Sequence, residues 1–355
     1  MQNTSKATIQ NTTQTLKQQG NFLSLSRTKP SLFTNYFQFT IDQHTQVNVI
    51  AEGIVSFEPI ADSDKDIVLS CGVHGNETAP IEICDDLVKA ILTGKIVLKQ
   101  RTLFLFGNLP AMDIAERFVE ENMNRLFSGE HKNLPTGQQM NAERRRAKQL
   151  EDAIKDFYLG VEPSKVRSRF HYDLHTAIRA SKNDKFAVYP FQNGKAWDKY
   201  QLQILLACGI NTILLSGSPT TTFSYYSVNE FNANAFTVEL GKVMPFGQND
   251  MRSFSDVEKT LTALICGDDL RLKSYSSEDF LIYEVNQVIN KLQADFELNF
   301  APDVPNFSDF PKNHLLASES GCEYRAEFAG EAIVFPNADV EIGQRALLTV
   351  IPTKI

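Results

Sequence analysis

The chain of 355 residues is 42% apolar and 22% charged, which is typical of a globular protein with one large domain and a smaller one. Its formal net charge of −8 argues against a general binder of nucleic acids or acidic membranes, although a local cationic pocket remains compatible with it. Its five cysteines are scattered, its N-terminus has no apolar signal core, and no apolar run reaches the ~18 residues of a membrane span. We therefore predict a soluble cytoplasmic protein.

The N-terminal part, residues 1–45, is expected to form a polar leader and a first β segment. Residues 1–30 are rich in Gln, Thr, Asn and Ser, which predicts either a loosely held leader or a polar helix. Two β-like runs, Tyr36–Ile41 and Val47–Ala51, follow around a turn that contains His44. We expect His44 to be exposed to solvent.

The stretch Ile67–Val73 is mostly apolar and predicts a buried strand. It ends at His74-Gly-Asn-Glu77, after which Thr78 and Pro80 are expected to begin a helix as N-cap and early-turn proline. A His and a Glu three residues apart, in a turn between a strand and a helix, can bind one small cation. Two such ligands suit zinc, whose catalytic sites commonly use two His, one carboxylate and an open position for water.

Strand-like and helix-like stretches then alternate as far as Gly267. The strands are expected at 102–106, 169–175, 186–189, 210–215 and 235–241, and the helices at 81–93, 141–158, 196–208 and 255–266. Ser255 with Glu258 is expected to form a capping box, residues 216–234 a polar and aromatic loop, and Arg144–Arg146 a solvated helix face. The alternation predicts a catalytic α/β domain over residues 46–270, with a mixed, largely parallel sheet flanked by helices.

The pattern changes after residue 275. Apolar residues recur with period two between Leu281 and Ile289, and short strand-like runs at 332–335 and 346–350 are separated by prolines and glycines. We expect a smaller, β-rich C-terminal domain over residues 271–355.

His175 ends the predicted strand 169–175 and is the first candidate for a third metal ligand. In open α/β sheets ligands bind at strand ends, so this position suits a metal site. On its own, His175 fits two interpretations equally well, a metal ligand or a hydrogen-bonded core residue. The pair His74 and Glu77 favours the metal ligand. His171 fits no ligand motif, and we expect it to be a hydrogen-bonded core residue.

Glu239 lies inside the apolar strand 235–241, where a carboxylate is costly to bury without a role. Next to a metal site it could take a proton from an attacking water and give it to a leaving amine. The alternative is a structural glutamate in a salt bridge.

Arg117, Arg125 and Arg179 follow sheet strands, and several guanidinium groups near a metal indicate an anionic substrate, although each alone can be a solvated helix residue.

Four motifs in this order resemble those of zinc carboxypeptidase-like enzymes, within their branch of succinylglutamate desuccinylases and aspartoacylases. They are Gly72–Pro80, Asn122–Phe127, Asp173–Ala177 and Thr237–Gly241. The resemblance covers roughly residues 50–350 and implies one zinc ion, and it implies a role for each of the following residues. His74, Glu77 and His175 hold the metal, Glu239 is the general base, Arg117 polarises the scissile carbonyl, and Asn124 with Arg125 binds a substrate carboxylate.

The resemblance further implies hydrolysis of N-succinyl-L-glutamate to succinate and L-glutamate, in arginine breakdown by succinyl transfer. This substrate carries three carboxylates, so Arg179 and Lys182 are added as expected carboxylate contacts, and Tyr225 and Tyr226 as residues that could close over it. A related N-acyl amino acid deacylase and a zinc-dependent binding protein without activity remain alternatives. A peptidase is disfavoured, because in this family the C-terminal domain lies over the pocket. An oligomer is possible but not indicated.

Overall fold

The computed structural model describes residues 6–134, 137–161 and 166–355 of the chain. The α-helices in these ranges are α1 (Lys6–Gln19), α2 (Phe22–Thr28), α3 (Thr78–Leu92), α4 (Leu109–Asp113), α5 (Ala142–Leu159), α6 (Lys199–Ala207), α7 (Phe223–Phe231) and α8 (Ser255–Cys266). The first strands are β1 (Phe37–Ile41), β2 (Thr45–Ala51), β3 (Ile54–Pro59), β4 (Lys65–Cys71), β5 (Arg101–Phe106), β6 (Ser168–Ala177), β7 (Phe186–Tyr189), β8 (Thr212–Leu215) and β9 (Asn234–Lys242). The remaining strands are β10 (Leu281–Asn290), β11 (Glu297–Leu298), β12 (Ser308–Phe310), β13 (Leu315–Glu319), β14 (Cys322–Arg325), β15 (Glu331–Val334) and β16 (Arg345–Pro352). Within the described ranges, no helix is both long and apolar enough to cross a membrane.

Thirteen strands form one sheet, in the order β1-β2-β3-β5-β4-β6-β9-β7-β8-β10-β16-β15-β12. The central strands β5, β4, β6 and β9 run parallel, whereas the strands at both edges pair antiparallel. The predicted mixed sheet, parallel over its central strands and flanked by helices, is therefore confirmed. Because β4, β6 and β9 are parallel neighbours, their carboxyl ends meet at one edge of the sheet.

Helices cover both faces of the central sheet, and strand β4 shows how the sequence achieves this. Ile67 and Leu69 contribute to the core under α3, α6 and α8, whereas Val68 contributes to the core under α5 and α7. A strand that is buried on both faces needs apolar side chains on both. This is why residues 67–71 form a nearly continuous apolar run.

The N-terminal helices pack firmly on the sheet. Leu16 of α1 and Phe22 of α2 are fully buried, and the ring of Phe22 meets Phe33 edge to face with 5.4 Å between ring centroids. Of the two predictions for this segment, the polar helix is therefore confirmed and the loosely held leader is wrong. Most of its polar residues face solvent, whereas Thr12 and Ser26 are buried together with the apolar residues that attach it to the core.

Two local predictions fail for reasons of packing. The predicted loop 216–234 contains α7, because Phe223, Tyr226 and Phe231 bury one helix face against the core under α5. The predicted capping box at the start of α8 is absent, since Ser255 is already helical and follows a 3-10 turn at Met251–Phe254.

The predicted solvated face Arg144–Arg146 is also wrong for two of its three arginines. Arg144 is buried and donates from Nη2 to Glu121 Oε1 at 2.5 Å. Arg146 donates to the carbonyl oxygens of Gly107 and Phe106, both at 2.8 Å. Both side chains fasten α5 to neighbouring loops.

The C-terminal segment, residues 271–355, is rich in β-strands, as predicted. Its first strand, β10, pairs parallel with β8 and antiparallel with β16, so it continues the large sheet. The segment also has an apolar core of its own, around Ile289, Leu316 and Leu347. The domain boundary near residue 270 stays a prediction, because the sheet runs across it.

Candidate metal and substrate site

The turn after β4 is shaped by close packing against α4. Gly75 has no room for a side chain, because a Cβ there would lie 2.2 Å from the carbonyl carbon of Ala111. Its backbone N–H donates to the carbonyl of Arg117 at 3.1 Å. The turn therefore holds His74 and Glu77 in fixed positions at the carboxyl end of β4.

Helix α3 begins differently from the prediction. Thr78 is the first helical residue rather than the N-cap, and its hydroxyl donates to the carbonyl of Met244 at 2.6 Å. Glu77 occupies the N-cap position, but its carboxylate makes no capping hydrogen bond to the helix. The carboxylate of Glu77 is instead directed towards two imidazole rings.

His74, Glu77 and His175 form one buried cluster, although His175 comes from the end of β6. Nδ1 of His74 lies 2.8 Å from Glu77 Oε1, and Nδ1 of His175 lies 2.8 Å from Glu77 Oε2. Ligand atoms of all three residues lie within 4.8 Å of one another. The three predicted ligands are therefore brought together, and two His with one carboxylate form a donor set that fits zinc.

The second nitrogen of each imidazole has its own partner. Nε2 of His74 lies 2.9 Å from Asn122 Oδ1, and Nε2 of His175 lies 2.9 Å from Asp173 Oδ2. Both partners accept from Nε2–H, and a ring that is neutral in this tautomer has the Nδ1 lone pair that a metal ligand needs. The sequence analysis placed Asn122 and Asp173 within motifs but assigned them no function.

The pKa values of the two imidazoles in the cluster are shifted in opposite directions. Burial, followed by the charge of Arg117, lowers the pKa of His74 to about 4, so its ring is neutral as a metal ligand must be. Although burial opposes it, the carboxylates of Asp173 and Glu77 raise the pKa of His175 well above its usual value. The two carboxylates thus stabilise a positive charge on the His175 ring, and a metal ligand at this position has to lose that proton.

His171 continues a buried chain of hydrogen bonds behind Asp173. The hydroxyl of Ser70 donates to Asp173 Oδ1 at 2.5 Å and lies 2.8 Å from His171 Nε2, while His171 Nδ1 lies 2.8 Å from Ser227 Oγ. Burial lowers the pKa of His171 to about 4, so this ring is neutral. The structure agrees with the predicted role of His171 as a hydrogen-bonded core residue.

Glu239 stands beside the cluster on strand β9, whose register pairs it with His175. Its side chain is buried, and Oε2 has no hydrogen-bond partner in the described part of the chain. Burial raises the pKa of Glu239 to about 7, although the positive charge of His175 partly offsets this. A buried carboxylate oxygen without a hydrogen-bond partner is costly, which favours the predicted functional role over a structural salt bridge.

Arg117 is next to the cluster and partly exposed. Its Nη1 donates to Glu77 Oε1 at 2.7 Å, and the rest of its guanidinium faces a cavity of about 400 Å³. Asn124 and Arg125 line the same cavity from a 3-10 turn at Met123–Arg125. Asn124 Oδ1 accepts from the backbone N–H of Phe223 at 3.0 Å, so its amide nitrogen is left to donate elsewhere.

Arg179 and Lys182, the two residues added as carboxylate contacts, have other partners in the structure. Arg179 lines the cavity, but its guanidinium donates to the carbonyls of Pro302, Val304 (3.0 Å) and Pro336 (3.4 Å) in the C-terminal segment. Lys182 forms an exposed ion pair with Asp309 at 2.8 Å. The role of Arg179 in substrate binding stays a prediction, while its observed role is to join two parts of the chain.

Tyr225 and Tyr226, considered as residues that could close over the substrate, do not line the cavity. Tyr225 and Tyr226 are buried on α7, where their hydroxyls donate to Asn229 Oδ1 and to the carbonyl of Glu151, both at 3.2 Å. The lining of the cavity includes instead residues of the C-terminal segment, among them Phe335 and Arg345. The sequence offered no signal for these residues, because they belong to none of the four motifs.

Comparisons with known proteins agree with the site's composition. A family model described as the succinylglutamate desuccinylase/aspartoacylase catalytic domain matches residues 63–265, and one described as the AstE/AspA barrel-sandwich hybrid domain matches residues 278–353. The succinylglutamate desuccinylase of Pseudoalteromonas atlantica is 62% identical over 340 residues, which is 96% of each chain. That of Shewanella denitrificans is 52% identical over 336 residues, 93% of this chain and 95% of the relative.

Solved structures give the same result. The succinylglutamate desuccinylase of Chromobacterium violaceum superimposes with a TM-score of 0.81 at 35% identity, covering 94% of this chain and 98% of that one. The Vibrio cholerae enzyme gives a TM-score of 0.83 at 31% identity, covering 93% and 94%. Murine aminoacylase 3, at 15% identity and a TM-score of 0.56, shares the fold over 83% of this chain and 97% of its own.

Proposed function

This chain belongs to the succinylglutamate desuccinylase/aspartoacylase family, and we propose that it hydrolyses N-succinyl-L-glutamate to succinate and L-glutamate, within arginine breakdown by succinyl transfer. The observation that carries the proposal is the buried cluster of His74, Glu77 and His175 with the unpartnered carboxylate of Glu239 beside it. Relatives named succinylglutamate desuccinylase, up to 62% identical, support the choice of substrate.

We propose that one zinc ion is held by His74, Glu77 and His175. The fit rests on the two imidazoles, whose Nδ1 atoms both face the carboxylate of Glu77. Their Nε2 atoms lie within hydrogen-bond distance of acceptor oxygens of other residues. When bound, zinc in such a site acts as a Lewis acid on a carbonyl oxygen and lowers the pKa of water to about 7. The proton transfers and the binding of the substrate are assigned to the side chains around it.

Glu239 is the general base of the proposed reaction. Its free carboxylate oxygen takes a proton from the water that attacks the amide carbon, and a C–O bond forms as the carbonyl becomes tetrahedral. Glu239 then gives this proton to the amide nitrogen as the C–N bond breaks, and glutamate leaves with a neutral amine. A pKa raised to about 7 by burial suits a group that must both accept and release a proton near neutral pH.

Arg117 stabilises the negative charge that develops on the carbonyl oxygen. Its guanidinium reaches the cluster and also faces the cavity, so it can donate to an oxygen atom next to Glu77. A preorganised donor of this kind typically contributes about 3 kcal/mol to transition-state stability. Asn124 and Arg125 bind a carboxylate of the substrate further along the cavity wall.

The proposal is tested by comparing kcat/KM for N-succinyl-L-glutamate, N-acetyl-L-aspartate and a dipeptide, using the zinc-loaded protein. We expect a clear preference for N-succinyl-L-glutamate. A preference for acetylaspartate would assign the chain to the aspartoacylase-like alternative, and a preference for the dipeptide would make it a peptidase. If none of the three is hydrolysed at full zinc content, the alternative of a binding protein without activity gains support.

A further inference from the structure

The cavity contains an arginine that belongs to none of the motifs. Arg345 begins strand β16 in the C-terminal segment, and its side chain lines the cavity together with Arg117 and Arg125. Its guanidinium carbon lies 5.6 Å from the centroid of the Phe335 ring, which holds the group against a flat apolar surface. Its Nε is buried and has no hydrogen-bond partner among the described residues.

In the part of the chain that the structure describes, neither Arg345 nor Arg125 has a counter-ion. Throughout residues 6–134, 137–161 and 166–355, no carboxylate oxygen lies within 4.0 Å of either guanidinium. Arg125 donates only to the carbonyl of its neighbour Asn124, at 2.9 Å, and Arg345 makes no side-chain hydrogen bond in the same described ranges. The two groups therefore keep most of their donors for a ligand.

The two arginines are also close enough to affect each other. Burial, then the charge of Arg345, then that of Arg117, lower the pKa of Arg125 to about 9, and burial lowers the pKa of Arg345 to about 10, so both Arg125 and Arg345 remain charged at neutral pH. Like charges in a partly buried cavity repel one another and have lost part of their hydration. An anion between them removes this penalty, and a carboxylate matches the two-pronged geometry of a guanidinium.

We propose that Arg125 and Arg345 together bind a single carboxylate of the substrate, so that the C-terminal segment completes a site whose metal cluster lies at the central sheet. The inference rests on the proposed function, because it concerns how that substrate is selected. Arg345 is then a specificity-determining residue that requires an anionic group remote from the scissile amide. Arg179 cannot fill this role equally well, since three backbone carbonyls already accept from its guanidinium.

The test compares N-succinyl-L-glutamate with three analogues in which one carboxylate is replaced by a carboxamide of the same shape. These are N-succinamoyl-L-glutamate, N-succinyl-L-glutamine and N-succinyl-L-isoglutamine. We expect Arg345→Gln and Arg125→Gln each to lower kcat/KM about 100-fold for the parent compound and for two analogues. For the remaining analogue, which lacks the carboxylate that Arg125 and Arg345 bind, kcat/KM should be unchanged in both variants.

Product inhibition gives a second readout that does not depend on turnover of an analogue. In Arg345→Gln, the product that carries the recognised carboxylate should inhibit about 100-fold more weakly, while the other product inhibits as before. Arg325→Gln is the matched control, since this exposed arginine of the same segment pairs with Glu323 at 2.7 Å. It should change neither kcat/KM nor product inhibition.

The outcomes separate this inference from the proposed function. Equal losses for all four compounds in Arg345→Gln, or no loss for any, would overturn the shared subsite while wild-type activity on succinylglutamate still supports the proposed function. The shared subsite would also be overturned if the analogue whose kcat/KM is unchanged differed between Arg345→Gln and Arg125→Gln. If the wild-type protein hydrolyses a different N-acyl amino acid, the proposed function fails. Carboxamide analogues of that substrate would then test whether Arg125 and Arg345 bind one of its carboxylates.

Discussion

Nε2 of His175 lies 2.9 Å from Oδ2 of Asp173, and both groups are buried at the end of strand β6. The contact orients the ring so that Nδ1 faces Glu77, and it fixes which nitrogen carries the proton. Asp173 is itself held by the hydroxyl of Ser70. The metal cluster is therefore supported by residues that never reach the cavity.

Asp173→Asn tests this support. Because an amide holds the ring less firmly and loses the negative charge, we expect zinc affinity to fall about 10- to 100-fold, measured by competition with a chelator. Asp309→Asn, which removes an exposed ion pair with Lys182, is the control and should bind zinc normally. An Asp173→Asn protein that is folded and binds zinc as tightly as the wild type would contradict the role assigned to this contact.

Gly75→Ala tests the packing that positions His74. A Cβ at this position would meet the backbone of α4 at 2.2 Å, so the turn or the helix must shift. We expect a loss of about 1–3 kcal/mol in the free energy of unfolding, together with weaker zinc binding. Gly217→Ala is the matched control, because a Cβ there meets nothing within 4 Å. Equal stability of the two variants in urea would show that the turn tolerates the side chain.

Arg179→Ala distinguishes a structural contact from a substrate contact. The carbonyls of Val304 and Pro336 lose their donor, so the free energy of unfolding should fall by about 1–3 kcal/mol. The ratio of kcat/KM between N-succinyl-L-glutamate and each carboxamide analogue should remain that of the wild type. If the ratio for one analogue instead falls to about 1, the result would support the prediction from the sequence that Arg179 binds a carboxylate.

Asp85 predicts a pH dependence of stability that is independent of the site. Burial, followed by the charge of Asp86, raises the pKa of Asp85 to about 6. Between about pH 4 and pH 6 the folded state thus binds more protons at this residue than the unfolded state, whose aspartates titrate near 3.9. The contribution of Asp85 to the free energy of unfolding therefore decreases as pH rises through this window, and is unfavourable above it.

Asp85→Asn should remove this contribution. At pH 7.5 we expect the variant to be more stable than the wild type by on the order of 1 kcal/mol, and at pH 4 the difference should vanish. Asp156→Asn, on the exposed face of α5, is the control and should be neutral at both pH values. Urea unfolding of the three proteins provides the measurement, and a difference that does not change with pH would refute the assignment.

The sequence was sufficient to predict the central sheet and the meeting of His74, Glu77 and His175, for identifiable reasons. Strands β4 and β9 are buried on both faces and are mostly apolar, and polar residues stand at the carboxyl ends of β4, β6 and β9. Because parallel strands end at the same edge, the position of His175 and Glu239 at such ends already indicated that they meet His74.

The sequence could not predict contacts that depend on packing between distant segments. Helix α7 has polar and aromatic residues with no clear period, and it forms because Phe223 and Phe231 have a core to enter. The burial of Arg144 depends on Glu121, and that of Arg345 on Phe335, neither of which periodicity reveals. A single arginine in a sequence gives no sign of whether it meets solvent, a carbonyl or a substrate.

The central claim is that Glu239 moves a proton beside a metal held by His74, Glu77 and His175. It is tested most directly by kcat for N-succinyl-L-glutamate in Glu239→Gln, with the zinc content of the same sample measured alongside. The amide keeps the size of the side chain but cannot accept the proton, so we predict full zinc content, a similar KM and a kcat reduced about 100- to 10,000-fold. An unchanged kcat at full zinc content would contradict the account.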